Sequence, residues 1–263
     1  MTAGFLIIII SSCNKKSDLL DKVPVYSVFK WINKSVLYNY IGLKYNGEAI
    51  DLRSPVMAGI GTYTFYDIRT GATLLEKELD LKPGESPWYL FQPDSTVTPQ
   101  LLKNTEVDEP AAPAGFMKLK IVNLSKTTLT NALMIPYPKL DIVLWASLGR
   151  LVNPVTRYDT LYSIGSSLDT AGYRLIKKAK KTATGFDINS YRVSFIDPDT
   201  NQEILNAAGT TYMGLNGLGI DAATNKKNVA TVYIVDQQRN PDQQKILKGD
   251  KYYDVIFQTL FSE

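Results

Sequence analysis

Asp197, Asp199 and Asn201 alternate in the run Asp197-Pro198-Asp199-Thr200-Asn201-Gln202-Glu203. At that spacing three side-chain oxygens could face one hard cation, and calcium takes six to eight oxygen ligands. The sixth position of a calcium loop needs glycine and the twelfth a glutamate; here they are Gln202 and Ala208. Pro-Asp-x-Asn is also a tight-turn composition, and Asp67-Ile68-Arg69-Thr70-Gly71 matches it with one carboxylate and an arginine. The turn reading therefore takes precedence over calcium, and no metal site is expected. Glu76 and Glu78 share one face of a strand, but Lys77 and Lys82 beside them read as a solvated surface. Glycosidase chemistry needs two carboxylates facing across a cleft. Gly214-Leu215-Asn216-Gly217-Leu218-Gly219 lacks the Gly-Lys-Ser/Thr of a phosphate loop and reads as a flexible loop or as close backbone packing.

The chain has no histidine and one cysteine, Cys13. Histidine is the usual proton carrier near neutral pH and the commonest metal ligand. Ser-His and Cys-His nucleophiles and imidazole-bound metals are thus excluded. No catalytic residue and no cofactor can be assigned. Aromatic rings remain: 16 Tyr and 3 Trp against 9 Phe. Trp88, Tyr89, Tyr137 and Trp145 are the candidate ligand-binding residues, able to stack on sugar rings. The competing role is packing, since sheets bury such rings, and in Trp88-Tyr89-Leu90-Phe91 strict alternation puts aromatics on both faces.

Cys13 closes the run Phe5-Leu6-Ile7-Ile8-Ile9-Ile10-Ser11-Ser12 and is followed by Asn14-Lys15-Lys16. Ile10-Ser11-Ser12-Cys13 resembles the aliphatic-small-small-Cys signal of bacterial lipoproteins. The resemblance implies removal of residues 1–12, acylation of Cys13 and a tether over 13–24, which places the protein at the outer membrane, its partner a bilayer reached through the lipid. A spanning helix needs roughly 17–25 apolar residues, more than this run supplies before Lys15. Acylation would leave no free thiol and no disulfide.

The elements that must carry any site are strands. Short β-prone runs separated by Gly, Pro, Asn and Asp occur at Val25 to Ile32, Gly61 to Ile68, Trp88 to Phe91, Phe116 to Asn123, Leu140 to Trp145, Tyr191 to Ile196, Val229 to Val235 and Tyr252 to Phe261. This spacing suggests a sandwich or barrel. The acidic, then Pro- and Ala-rich stretch Glu106 to Gly115 reads as an extended linker over 109–114. It separates a first domain at 25–108 from a second at 115–263.

The halves resemble each other. Phe29-Lys30-Trp31-Ile32-Asn33-Lys34-Ser35 matches Leu119-Lys120-Ile121-Val122-Asn123-Leu124-Ser125, and the Tyr63 strand matches the Tyr191 strand. The second half would then carry an insertion around 150–188. Leu168, Ala171, Leu175, Ile176 and Ala179 predict a short helix there, from about Ser167 to Lys180. The strand ending Val122-Asn123-Leu124-Ser125 and the strand opening Gly61-Thr62-Tyr63 resemble a family of tandem immunoglobulin-like repeats, of unknown function, in bacterial envelope lipoproteins. The resemblance implies two immunoglobulin-like β-sandwich domains in tandem and transfers no catalytic residue.

The net charge is +3, and its most basic cluster, Lys177 to Lys181, reads as a solvated helix end or loop. A nucleic-acid binder would show a broader basic face, so none is expected. The expectation is a lipid-anchored, non-catalytic binding module for a glycan or protein. A structural subunit of an outer-membrane complex and a carboxylate-based glycan hydrolase are the alternatives.

Overall fold

Period-two patterning decides the elements. The computed structural model describes residues 24–51, 54–84, 87–126, 129, 137–146, 156–181, 184–205, 218–219, 225–239, 246–248 and 251–262. Among them the fold is all-β, with one 3-10 turn at Tyr38–Tyr40. Cys13, its tether and Gly214 to Gly217 lie outside the described residues. No described helix is long and apolar enough to cross a membrane.

In chain order the first strands are β1 (Tyr26–Val28), β2 (Trp31–Ser35), β3 (Ile41–Tyr45), β4 (Glu48–Ile50), β5 (Pro55–Met57), β6 (Gly59–Asp67) and β7 (Thr73–Leu81). Then follow β8 (Trp88–Gln92), β9 (Gln100–Lys103), β10 (Phe116–Asn123), β11 (Lys139–Ala146), β12 (Thr156–Gly165) and β13 (Tyr173–Lys177). The last are β14 (Ser190–Asp197), β15 (Gln202–Ile204), β16 (Leu218–Gly219), β17 (Val229–Arg239), β18 (Ile246–Lys248) and β19 (Lys251–Ser262). All eight predicted runs fall on strands.

By contacts the chain forms two units, one of residues 1–32 and 37–87, the other of 33–36 and 88–263. Trp88 to Lys103, read from sequence as part of the first domain, is grouped with the second unit. In the first unit β4-β3-β6-β7 form one sheet and β1-β5 another. Its core is aromatic. Phe29 meets Tyr63 with ring centroids 4.4 Å apart, and Trp31 meets Phe65 edge-on at 5.2 Å.

In the second unit two sheets, β13-β10-β17-β19-β18 and β12-β11-β14-β15, enclose one core in a sandwich-like arrangement. Met117, Leu119 and Ile121 from β10 and Val232 and Ile234 from β17 meet Ile142 and Leu144 from β11 and Val193 and Phe195 from β14. Each such side chain contributes about 1.5–3 kcal/mol on full burial. The opposite face of the first of these sheets is also covered. There Val122, Tyr233, Val235, Ile256 and Phe261 pack with Phe91, Tyr89 and Leu102 of β8 and β9. Alternation along β10 and β17 thus feeds two cores rather than a core and solvent.

Strand order repeats along the chain. The order β4-β3-β6-β7 recurs as β12-β11-β14-β15, and β2-β8-β9 recurs as β10-β17-β19. The hairpin turns match in detail. Asp67 Oδ1 accepts from Arg69 N at 2.9 Å and Asp197 Oδ1 from Asp199 N at 2.9 Å. Gly71 N and Asn201 N donate to the carbonyls of those aspartates, and both residues have positive φ (73° and 55°). The turns therefore align Phe65 with Phe195, both fully buried, and correct the sequence alignment of Tyr63 with Tyr191.

Two further expectations change. The helix expected from about Ser167 to Lys180 is a turn followed by strand β13, paired antiparallel to β10. Gly172 interrupts the helical run, and pairing with β10 decides the rest. Leu175 and Ile176, read as one helical face, point to opposite sides: Leu175 is exposed and Ile176 fully buried. The stretch read as an extended linker is tied to the sheet. Lys227 Nζ donates to the carbonyls of Glu106 and Val107 at 3.1 and 2.8 Å. Lys118 Nζ reaches Glu109 Oε1 at 2.8 Å and the Pro110 carbonyl at 2.9 Å, and Ala112 N donates to the Lys227 carbonyl.

Candidate functional site

The Asn-x-Ser segments end their strands for a chemical reason. Each asparagine accepts from the serine amide two residues on, closing an Asx turn: Asn33 Oδ1 with Ser35 N at 3.0 Å, Asn123 Oδ1 with Ser125 N at 3.2 Å. Each serine hydroxyl then donates across the sheet, Ser35 to Gln92 Oε1 at 2.5 Å and Ser125 to Asp236 Oδ1 at 2.6 Å. The second turn is better supplied. Asp236 Oδ2 also accepts from Lys126 N at 2.7 Å, and Ser125 Oγ accepts from Leu129 N at 3.0 Å. Asn123 Nδ2 donates to the Tyr137 carbonyl at 3.2 Å, which fixes the backbone beside that ring.

Around the second turn lies a groove of about 520 Å³, inside the usual range for small-ligand sites. Tyr137, Phe91, Pro93 and Leu168 give it apolar wall, while Thr98, Gln100, Ser166 and Ser167 bring hydroxyl and amide groups. Of its two charged residues, Lys126 pairs with Asp94 at 3.7 Å, leaving Asp169. The Thr96 amide, the largest influence, holds the Asp94 carboxyl below its usual range, and Lys126 adds to this. Burial, with a smaller contribution from Asp197, pushes the Tyr137 phenol up, so it remains a hydrogen-bond donor at neutral pH.

The first turn lines a second cleft of about 620 Å³, which shares Pro93 with the groove. Lys34 Nζ donates there to the Thr259 carbonyl at 3.0 Å, and burial lowers its pKa. Tyr233 hydroxyl bonds Gln258 Oε1 on the same wall.

Of the four aromatic candidates, Tyr137 alone lines the groove. Tyr89 packs edge-on against Phe261 at 4.7 Å. Trp88 lies under Lys103 Nζ, 4.0 Å from its ring centroid. Trp145 sits on β11 and donates from Nε1 to Ser194 Oγ at 3.0 Å. The four are not one stacking surface. Asp197 spends its carboxylate on the turn, accepting from Asp199 N and from the Thr200 hydroxyl at 3.0 Å. Among the described residues no group of three or more acidic, histidine or cysteine side chains could hold a metal. Glu76 and Glu78 are exposed on β7. In the basic cluster Lys178 departs from a solvated role, being buried with Nζ on Asn228 Oδ1 at 2.6 Å.

Sequence reasoning missed the groove's hydroxyls and the Ser125–Asp236 pair, whose members are 111 residues apart. The signal that could have found the pair was the repeated Asn-x-Ser itself. Comparison with protein-family models and with curated proteins finds no match to this chain.

Proposed function

We propose that this chain is a lipid-anchored envelope protein, built of two immunoglobulin-like sandwich domains in tandem, that binds a neutral glycan without turning it over. The Ile10-Ser11-Ser12-Cys13 sequence supports the anchor. The repeated strand order, the paired Asx turns and the paired aspartate hairpins support the tandem repeat and its likeness to envelope repeat families. Fold alone does not give function, and the groove beside Tyr137 carries the binding role. An aromatic ring flanked by hydroxyl and amide groups, with one of its two charges already paired, suits a polar ligand with apolar ring faces and no formal charge.

The test is titration of the full chain with a panel of neutral oligosaccharides. Saturable binding that weakens at least about tenfold, or about 1.4 kcal/mol, in Tyr137→Ala supports the reading. Binding unaffected by that substitution removes the groove from the argument. Release of shortened glycan during the titration favours the hydrolase reading instead. Recovery of outer-membrane proteins on cross-linking cells, with no glycan bound, favours the assembly reading.

A further inference from the structure

The first unit carries an apolar face that its own core does not use. Along the chain from Tyr26, side chains alternate: Phe29 is buried, while Tyr26, Val28 and Lys30 are exposed. Strand β5 adds to the same surface, because Tyr26 lies opposite Met57 and Val28 opposite Pro55 in the antiparallel register. Tyr26 is 58% exposed and Met57 52%, whereas the exposed Ile60 lies opposite Asp80 on the other sheet. The Ala58 amide donates to the Val25 carbonyl and fixes that corner of the sheet. Elsewhere in the unit the exposed residues of β7 are Thr73 and the charged Glu76, Lys77, Glu78 and Asp80, the last four of which would lose much by leaving water.

We infer that the outward face of β1 and β5 is a membrane-contact surface that lies on the bilayer carrying the acyl chains. The inference rests on the acylation of Cys13 proposed above. Ten residues, 14–23, separate that cysteine from the first described residue, and a fully extended chain of that length reaches about 35 Å. The face is thus never far from the lipid to which the chain is tied. A short tether raises the effective concentration of the second contact into the millimolar range, so a small apolar patch suffices. Its composition fits the headgroup boundary. Tyrosine is enriched at that depth, and the lysine at position 30 can lay its stem on apolar surface while its ammonium stays wet. A polar face at β7 and an apolar one at β1–β5 give the unit a defined orientation on the membrane.

The test uses the acylated protein reconstituted in phosphatidylethanolamine–phosphatidylglycerol vesicles that contain nitroxide-labelled lipid. With Cys13 acylated, Met57→Cys introduces the one reactive thiol, and a fluorophore there reads contact with lipid. Ile68→Cys is the control, since β6 runs nine residues from Gly59 to Asp67, about 30 Å at strand rise. Both positions are exposed, and circular dichroism checks that each variant folds. Quenching several-fold stronger at 57 than at 68 supports the inference. Equal quenching at the two positions overturns it. Protection of 57 that needs no lipid and grows with protein concentration also overturns it, in favour of a second copy of the chain. Mass of the N-terminal peptide reports acylation separately. If Cys13 carries no lipid the anchor reading fails by itself, and the contact surface is then decided by whether added vesicles still quench position 57.

Discussion

At the scale of single residues the two Asx turns invite comparison, because their serines donate to different kinds of acceptor. Ser35 donates to a neutral amide and Ser125 to a carboxylate. A hydrogen bond to a charged group contributes about 1.5–3 kcal/mol and one between neutral groups about 1. Ser125→Ala, which also removes the acceptor of the Leu129 amide, should therefore cost at least about 2 kcal/mol in urea denaturation and Ser35→Ala about half of that; equal losses would contradict the assignment. Asp67 gives a pH prediction. The Arg69 guanidinium and then the Arg69 amide hold its carboxyl at about 2. A depressed carboxyl stabilises the folded turn at pH above the ordinary value of 3.8 and loses that contribution as pH falls through about 2. In an NMR titration Arg69→Ala should return the Asp67 midpoint toward its ordinary value. The sequence showed Asn-x-Ser as a strand ending but not its purpose, because the acceptor is remote in the chain.

Elements were legible wherever one face meets a core. Phe116 to Asn123 alternates and forms β10 as read, and so do the other seven runs. The expected helix failed because Leu168, Ala171, Leu175 and Ile176 sit at helical spacing yet serve different surroundings. Leu168 and Ala171 pack against the cluster that joins β8, β10, β17 and β19, Ile176 enters the main core, and Leu175 meets water. Spacing does not distinguish one helical face from two sheet faces when a glycine, here Gly172, divides the run. The contrast is testable by denaturation. Leu175→Lys should change stability by no more than about 0.5 kcal/mol, whereas Ile176→Ala should cost about 2–5. Helical packing predicts large losses for both. Gly219 makes a similar point about the glycine-rich run: a Cβ there would collide with the backbone of Asn189 and Ser190. That position needs glycine for close approach of β16 to β14.

For the whole molecule, the repeat was half visible. Motifs at strand ends survive in sequence, but strand order does not, and β12, placed inside the presumed insertion, occupies the same edge position as β4. As an edge strand it alternates weakly, which is why its pattern was passed over. Alkali tests the second unit as a whole. Burial pushes the Tyr191 and Tyr233 phenols up to about 12. A raised phenol contributes stability that is fully present below its ordinary value of 10.0 and is lost as pH rises through about 12. Alkaline unfolding followed by circular dichroism should therefore track phenolate absorbance across that window. Tyr191→Phe should shift the transition upward while costing about 1 kcal/mol at neutral pH, since its hydroxyl accepts from the Ala179 amide at 2.7 Å. The parallel pairing of β10 with β17 sets a schedule as well as a shape. Its two strands meet only after more than a hundred intervening residues have been made, and ribosomes add about 5–20 residues per second. For many seconds β10 can pair with β13 alone, and its other neighbour does not yet exist. The sheet that holds β10 is therefore completed from its C-terminal strands, and its core closes only when the last of them arrives.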